Sequence, residues 1–190
     1  MSGMSTDPLE SPSPDLAGPF RGSDALRRGL LTPGVLRGPA FRRLFPDVYA
    51  PAVLGPDLAL RARAAGLLVA GRGVVAGYAA AELLGASCAP PDEPVHVLMT
   101  HRYRGAGLHV HRDRFAVAET VPLSTGGALT SPERTAYDLA RWAPWFAERV
   151  VAVDTLAHCC GVELDAIRSL RRRYRIVREV TAELAARSGR

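Results

Sequence analysis

At 190 residues with 47% hydrophobic content, the chain is long enough for one compact core and at most a small appended module, which excludes a multidomain assembly. All 24 basic residues are arginine, and with abundant Ala, Gly and Pro this usage matches a GC-rich coding bias as much as selection for charge. Arg outnumbers Asp plus Glu by six to two over residues 20–50 and by eight to two over 166–190, against ten to twelve over 51–165, so positive flanks enclose a near-neutral body.

Residues 1–19, MSGMSTDPLESPSPDLAGP, are too poor in apolar side chains to offset their ordering entropy and are expected to be disordered. No basic n-region followed by an apolar run opens the chain, so no secretory signal is expected. A small unit is expected over 20–55. Ser23 suits the N-cap of a helix carrying Ala25, Leu26 and Leu30, and Thr32 with Pro33 suits the start of a second. In FRRLFPDVYAP, residues 41–51, the apolar positions mimic a helical spacing, but Pro46 would break a helix and disfavours it at Phe45. Aromatic and β-branched content predicts two strands, FRRLF and VYA, about a Pro46-Asp47 turn. Two short helices followed by a hairpin is the order of a winged helix-turn-helix.

Residues 56–190 are expected to form a mixed α/β domain with a helical C-terminal third, making the whole chain α+β. Asp57 caps a helix through DLALRARAAGLLVAG that Gly71 ends. VVAG reads as a strand and YAAAELLG as a helix stopped by Gly85. The apolar window 64–85 is interrupted by Arg72 and Glu82 and falls short of the roughly 20 residues a membrane span needs, so a soluble chain is expected. PVHVLMT and GLHVHR alternate as strands, joined by a basic loop, and a third strand is expected within TVPLSTGGALT. A helix begins at TSPERTAYDLARW, capped either by Thr130 with Glu133 or by Ser131 with Pro132. PWFAERVVAVDTLAHCCG follows, with Phe146, Val150, Val153 and Ala157 on one expected face, and two helical stretches complete the chain. Cys88, Cys159 and Cys160 are odd in number and lack CxxC spacing, which fits a reducing cytoplasm.

The ordered pieces AFRRLFPDVYAP, GYAAAELLG, DEPVHV, LHVHR, LTSPERTAYDLARW and VVAVDTLAHC resemble the bacterial AbiEi-like antitoxin family over residues 20 to about 170. Within it, the likeness is to a branch whose module precedes a very-short-patch-repair-like (Vsr-like) endonuclease. The resemblance implies a winged helix-turn-helix that binds promoter DNA, and a protein that neutralises a nucleotidyltransferase-like toxin. The metal-binding acidic residues of such a nuclease do not follow before Arg190, so no hydrolytic site transfers and no enzyme activity or cofactor is expected. The alternative is a non-catalytic accessory part of a split endonuclease. Relatives usually carry Arg-Gly where this chain has Pro46-Asp47, a change that removes a phosphate contact and adds an anion.

The candidate DNA contacts are Arg27, Arg28, Arg37, Arg42 and Arg43; as phosphate contacts they would position the protein without reading sequence. Arg42 and Arg43 are adjacent in a strand and point to opposite faces, so the alternative is a solvated hairpin. His109, His111 and Asp113 share one strand alternation and form a candidate metal set, although histidines also occur on half-exposed strands without a ligand. Asp138 lies four residues after Arg134, at helical ion-pair spacing with a structural use. GRG at 71–73 lacks a phosphate-loop pattern, the cysteines read as buried apolar groups, and RRRYR at 171–175 reads as a solvated helix face or a second anion contact.

Overall fold

The computed structural model describes residues 14–101, 103 and 107–174. The expected disorder of residues 1–13 and the last helical stretch lie outside these. The fold is α+β, as the mixed periodicities predict.

The N-terminal unit runs β1 (Phe20–Arg21), α1 (Gly22–Arg27), α2 (Pro33–Leu36), β2 (Phe41–Phe45) and β3 (Val48–Pro51). Its sheet has the order β1-β3-β2 and is antiparallel throughout. The hairpin turns at Pro46-Asp47, with Asp47 at φ 59°, the left-handed conformation that Asp tolerates after a turn proline. Strand β1 has no sequence signal of its own; it forms because β3 offers it a free edge. Helix α1 also starts two residues earlier than Ser23 as N-cap suggests. Its N-cap, Arg21, contributes no side-chain cap. Instead the Ser23 backbone N–H and hydroxyl both donate to the Asp47 carboxylate, at 2.8 and 2.6 Å, and the Gly22 N–H donates to the Asp47 carbonyl at 3.0 Å. Thr32 caps α2 as expected. Leu16, inside the segment expected to be disordered, is 4% exposed in a small core with Phe20, Ala25 and Leu36.

The second sheet has the order β6-β5-β4-β8-β7, from β4 (Gly73–Val75), β5 (Val95–Met99), β6 (Leu108–Arg112), β7 (Thr120–Pro122) and β8 (Ala128–Thr130). Helices α3 (Leu58–Val69), α4 (Gly77–Leu83), α5 (Pro132–Trp142), α6 (Phe146–Cys160) and α7 (Leu164–Tyr174) surround it. Asp57 caps α3 by accepting from the Leu60 N–H at 2.7 Å, as expected. Ala62, Ala65, Leu68 and Val69 of α3 pack with Val75, Val95, Val97 and Met99 in the main core, which also takes in Phe45 and Val48 of the N-terminal hairpin. The stretch expected to hold a single strand contains two, because Gly126 and Gly127 make a left-handed turn between β7 and β8. A Cβ on Gly127 would sit 2.2 Å from the Gly66 carbonyl oxygen of α3, so only glycine permits this approach.

Helix α5 is capped by Ser131 with Pro132 first, which settles the two alternatives; Thr130 instead shares a hydrogen bond of 2.7 Å with Thr135. The face expected of α6 is rotated: Ala152, Val153 and Leu156 are buried, Ala152 and Leu156 in a cluster with Tyr78 and Ala81 of α4 and Ala136 and Leu139 of α5, while Phe146 is 42% exposed. Gly161 ends it at φ 68°. Among the described residues, no helix is long and apolar enough to cross a membrane.

Candidate functional site

The arginines proposed for DNA lie on the N-terminal unit, and each makes a contact within the chain. Arg27 pairs with Asp24, and Arg28 pairs with Asp15 at 2.7 Å, both as exposed ion pairs. The Arg37 guanidinium donates to the Pro33 carbonyl at 3.1 Å, Arg42 to Ala52 at 2.5 Å and Arg43 to Phe45 at 3.3 Å. Arg27, Arg28, Arg37 and Arg43 remain exposed, whereas Arg42 is half-buried. The Asp47 anion does not project from the hairpin, since its carboxylate is held by Ser23, with Arg21 3.9 Å away. At residues 171–175, Arg172 and Arg173 have no described side-chain placement and Arg175 lies outside the described residues.

On the sheet face turned away from α3, three imidazoles converge. Strands β5 and β6 are parallel, and their register sets His96 opposite His109, with His111 two residues further along. One ring nitrogen from each of His96, His109 and His111 lies within 4.8 Å of the others. His111 Nε2 and His96 Nδ1 are 3.2 Å apart, so one of the two rings donates to the other. His109 and His111 stack nearly parallel, and Trp142 of α5 stacks on His111 with ring centroids 3.5 Å apart. His96 is buried and His109 is exposed on the edge strand. On the other side of His96, the Glu93 carboxylate lies 2.9 Å from Nε2, off the axis of a formed hydrogen bond. Gly77 makes room for this ring: a Cβ there would stand 2.8 Å from His96 Nδ1. Burial, then the neighbouring His109, pushes His96 down to about 4; burial, then His96 and His109, pushes His111 down to about 3. Both rings are therefore neutral near pH 7.

Asp113, grouped with His109 and His111 by alternation, turns elsewhere once β6 ends at Arg112. Its carboxylate accepts from Arg134 at 3.2 Å and from Arg141 at 2.9 Å. The third imidazole comes from the neighbouring strand instead. His96 had the right residue type, but only the inter-strand register shows that it belongs here.

Arg134 anchors a buried polar network. Its side chain is 0% exposed and donates to Asp138 at 3.0 Å, Glu119 at 2.9 Å, Asp113 at 3.2 Å and the Arg114 carbonyl at 2.9 Å. The Tyr174 hydroxyl donates to Glu119 at 2.8 Å and its ring covers the guanidinium at 4.6 Å. Burial works against the charged guanidinium, but Asp138, Glu119 and Asp113 outweigh it and keep Arg134 charged. Burial raises the Asp138 carboxyl, opposed by Arg134 and Arg141. The network's hydrogen bonds join residues of α5, α7 and the segment after β6, which suits it to hold these elements together. No protein-family model matches the chain, and no curated protein matches it.

Proposed function

We propose that the chain is a non-enzymatic regulator that docks on DNA through its N-terminal unit and on a protein partner through the remainder, as the AbiEi-like resemblance implies. The supporting observation is the exposure of Arg27, Arg28, Arg37 and Arg43 together on a unit of two short helices and a small antiparallel sheet. The ion pairs of Arg27 and Arg28 are solvent-exposed, and such pairs contribute little, so their exchange for phosphate is inexpensive. Because Asp47 is tied to α1, the docking surface is the helices and the β2 edge rather than the hairpin tip. On the protein-partner side, Trp145 and Phe146 at the start of α6 are large apolar side chains left at the surface, 70% and 42% exposed.

Titration of the chain against a labelled duplex from its own upstream region, at salt concentrations spanning a fourfold range, tests this reading. Affinity is expected to fall steeply with salt, and each of Arg27→Ala, Arg37→Ala and Arg43→Ala is expected to reduce the slope of log K against log salt by about 0.9. Binding that is absent, or insensitive to salt, would sink the DNA reading.

A further inference from the structure

We infer that His96, His109 and His111 form a binding site for a divalent transition-metal ion of zinc's class, open to solvent at its fourth position. The geometry carries the inference. Zinc binds imidazole nitrogen at about 2.0–2.1 Å, so two donors on a tetrahedral ion stand roughly 3.3 Å apart. His96 Nδ1 and His111 Nε2 already stand at 3.2 Å. The ion displaces the proton that now joins the two rings, and whichever ring donates it passes to its other tautomer. The third donor, His109, lies within 4.8 Å and is exposed on an edge strand, so a side-chain rotation closes the set.

Two further features point to a ligand rather than to packing. His96 is a polar ring buried on the sheet face that also carries Val74, Ala76 and Leu98, where an aliphatic side chain would fill the space without a polar atom to satisfy. Glu93 lies 2.9 Å from the nitrogen of His96 that faces away from the cluster, out of hydrogen-bond alignment, and a small turn of the carboxylate brings it into line. A carboxylate on the remote nitrogen of a ligating histidine fixes its tautomer and raises its basicity, an arrangement common to protein metal sites. Three imidazoles without a carboxylate or carbonyl ligand suit zinc, copper or nickel and disfavour magnesium and calcium, which take oxygen ligands. With three protein donors the fourth position is left for water or a substrate atom, and exposed His109 marks the side from which it is reached.

The experiment uses the full chain without an affinity tag, stripped with a chelator, its cysteines alkylated so that Cys88, Cys159 and Cys160 do not compete. Zinc uptake is measured against a chromophoric chelator, and cobalt uptake by visible absorption and, in a Trp145→Phe background, by quenching of Trp142, which stacks on His111. Binding of one equivalent is expected, lost in the His109→Ala/His111→Ala double variant and weakened about 10–100-fold in Glu93→Gln. His109→Gln, at the exposed ring, gives the same readout if the double variant does not fold. No uptake by the wild-type chain overturns the inference. So does uptake that persists unchanged in the His109 and His111 variants, because the ion then sits elsewhere.

Discussion

Arg134 shows how one side chain can organise a region. A guanidinium that is 0% exposed, with Glu119 and Asp138 also buried, is tolerable only because each charge is paired and hydrogen-bonded. Removing one partner leaves the others charged in a dry site, a larger penalty than the loss of any single contact. Arg134→Ala is therefore expected to destabilise the fold by about 3–5 kcal/mol in urea unfolding. Arg141→Ala, whose side chain is 18% exposed, should lose less, since water can reach the groups it leaves. A loss below about 1 kcal/mol for Arg134→Ala would show that Glu119 and Asp138 are not left as stranded charges in a dry site. Half of this was visible beforehand. The spacing of Arg134 and Asp138 marked an ion pair within one helix, whereas Asp113 and Glu119 reach Arg134 from outside it.

At the scale of elements, the N-terminal unit depends on a cap supplied across the sheet. Helix α1 is six residues long, too short to be stable alone, and its first donors are satisfied by Asp47 of the hairpin turn. Pro46 and Asp47 thus set the turn, and Asp47 also secures the helix start. Asp47→Ala is expected to cost about 1–2 kcal/mol, from the lost cap and from placing a Cβ-bearing residue without a compensating hydrogen bond at positive φ. Asp47→Asn, which keeps an accepting oxygen and tolerates that φ, should retain most of the stability. Equal losses for the two substitutions, read from urea midpoints, would refute the capping role. The hairpin itself was legible, because Pro46 forbids the helix that the apolar spacing suggests. The cap was not, because Asp47 and Ser23 are joined only through the pairing of β1 with β3.

Across the whole molecule, the two sheets share one structural support. Phe45 and Val48 of the N-terminal hairpin enter the same core as Val75, Val95 and Val97, and the Arg21 guanidinium donates to the Leu67 carbonyl of α3 at 2.5 Å. The chain is accordingly expected to unfold in a single transition, with tryptophan fluorescence, from Trp142 and Trp145, and far-ultraviolet circular dichroism giving coincident urea curves. Separated curves would show that residues 20–55 melt as an independent unit.

Prolines, glycines, caps and apolar periodicity placed most helices and strands, because these are local preferences that a short window of chain contains in full. The α+β class followed from them. Pairing across the chain decided the remainder: β5 beside β6 in parallel brings His96 to His109, the fold of β6 into its following loop carries Asp113 to Arg134, and α6 turns Phe146 outward. These contacts join residues far apart in sequence, whose encounter depends on sheet register and helix docking. Histidines could therefore be counted in the sequence, but which three face one another was set only when the strands paired.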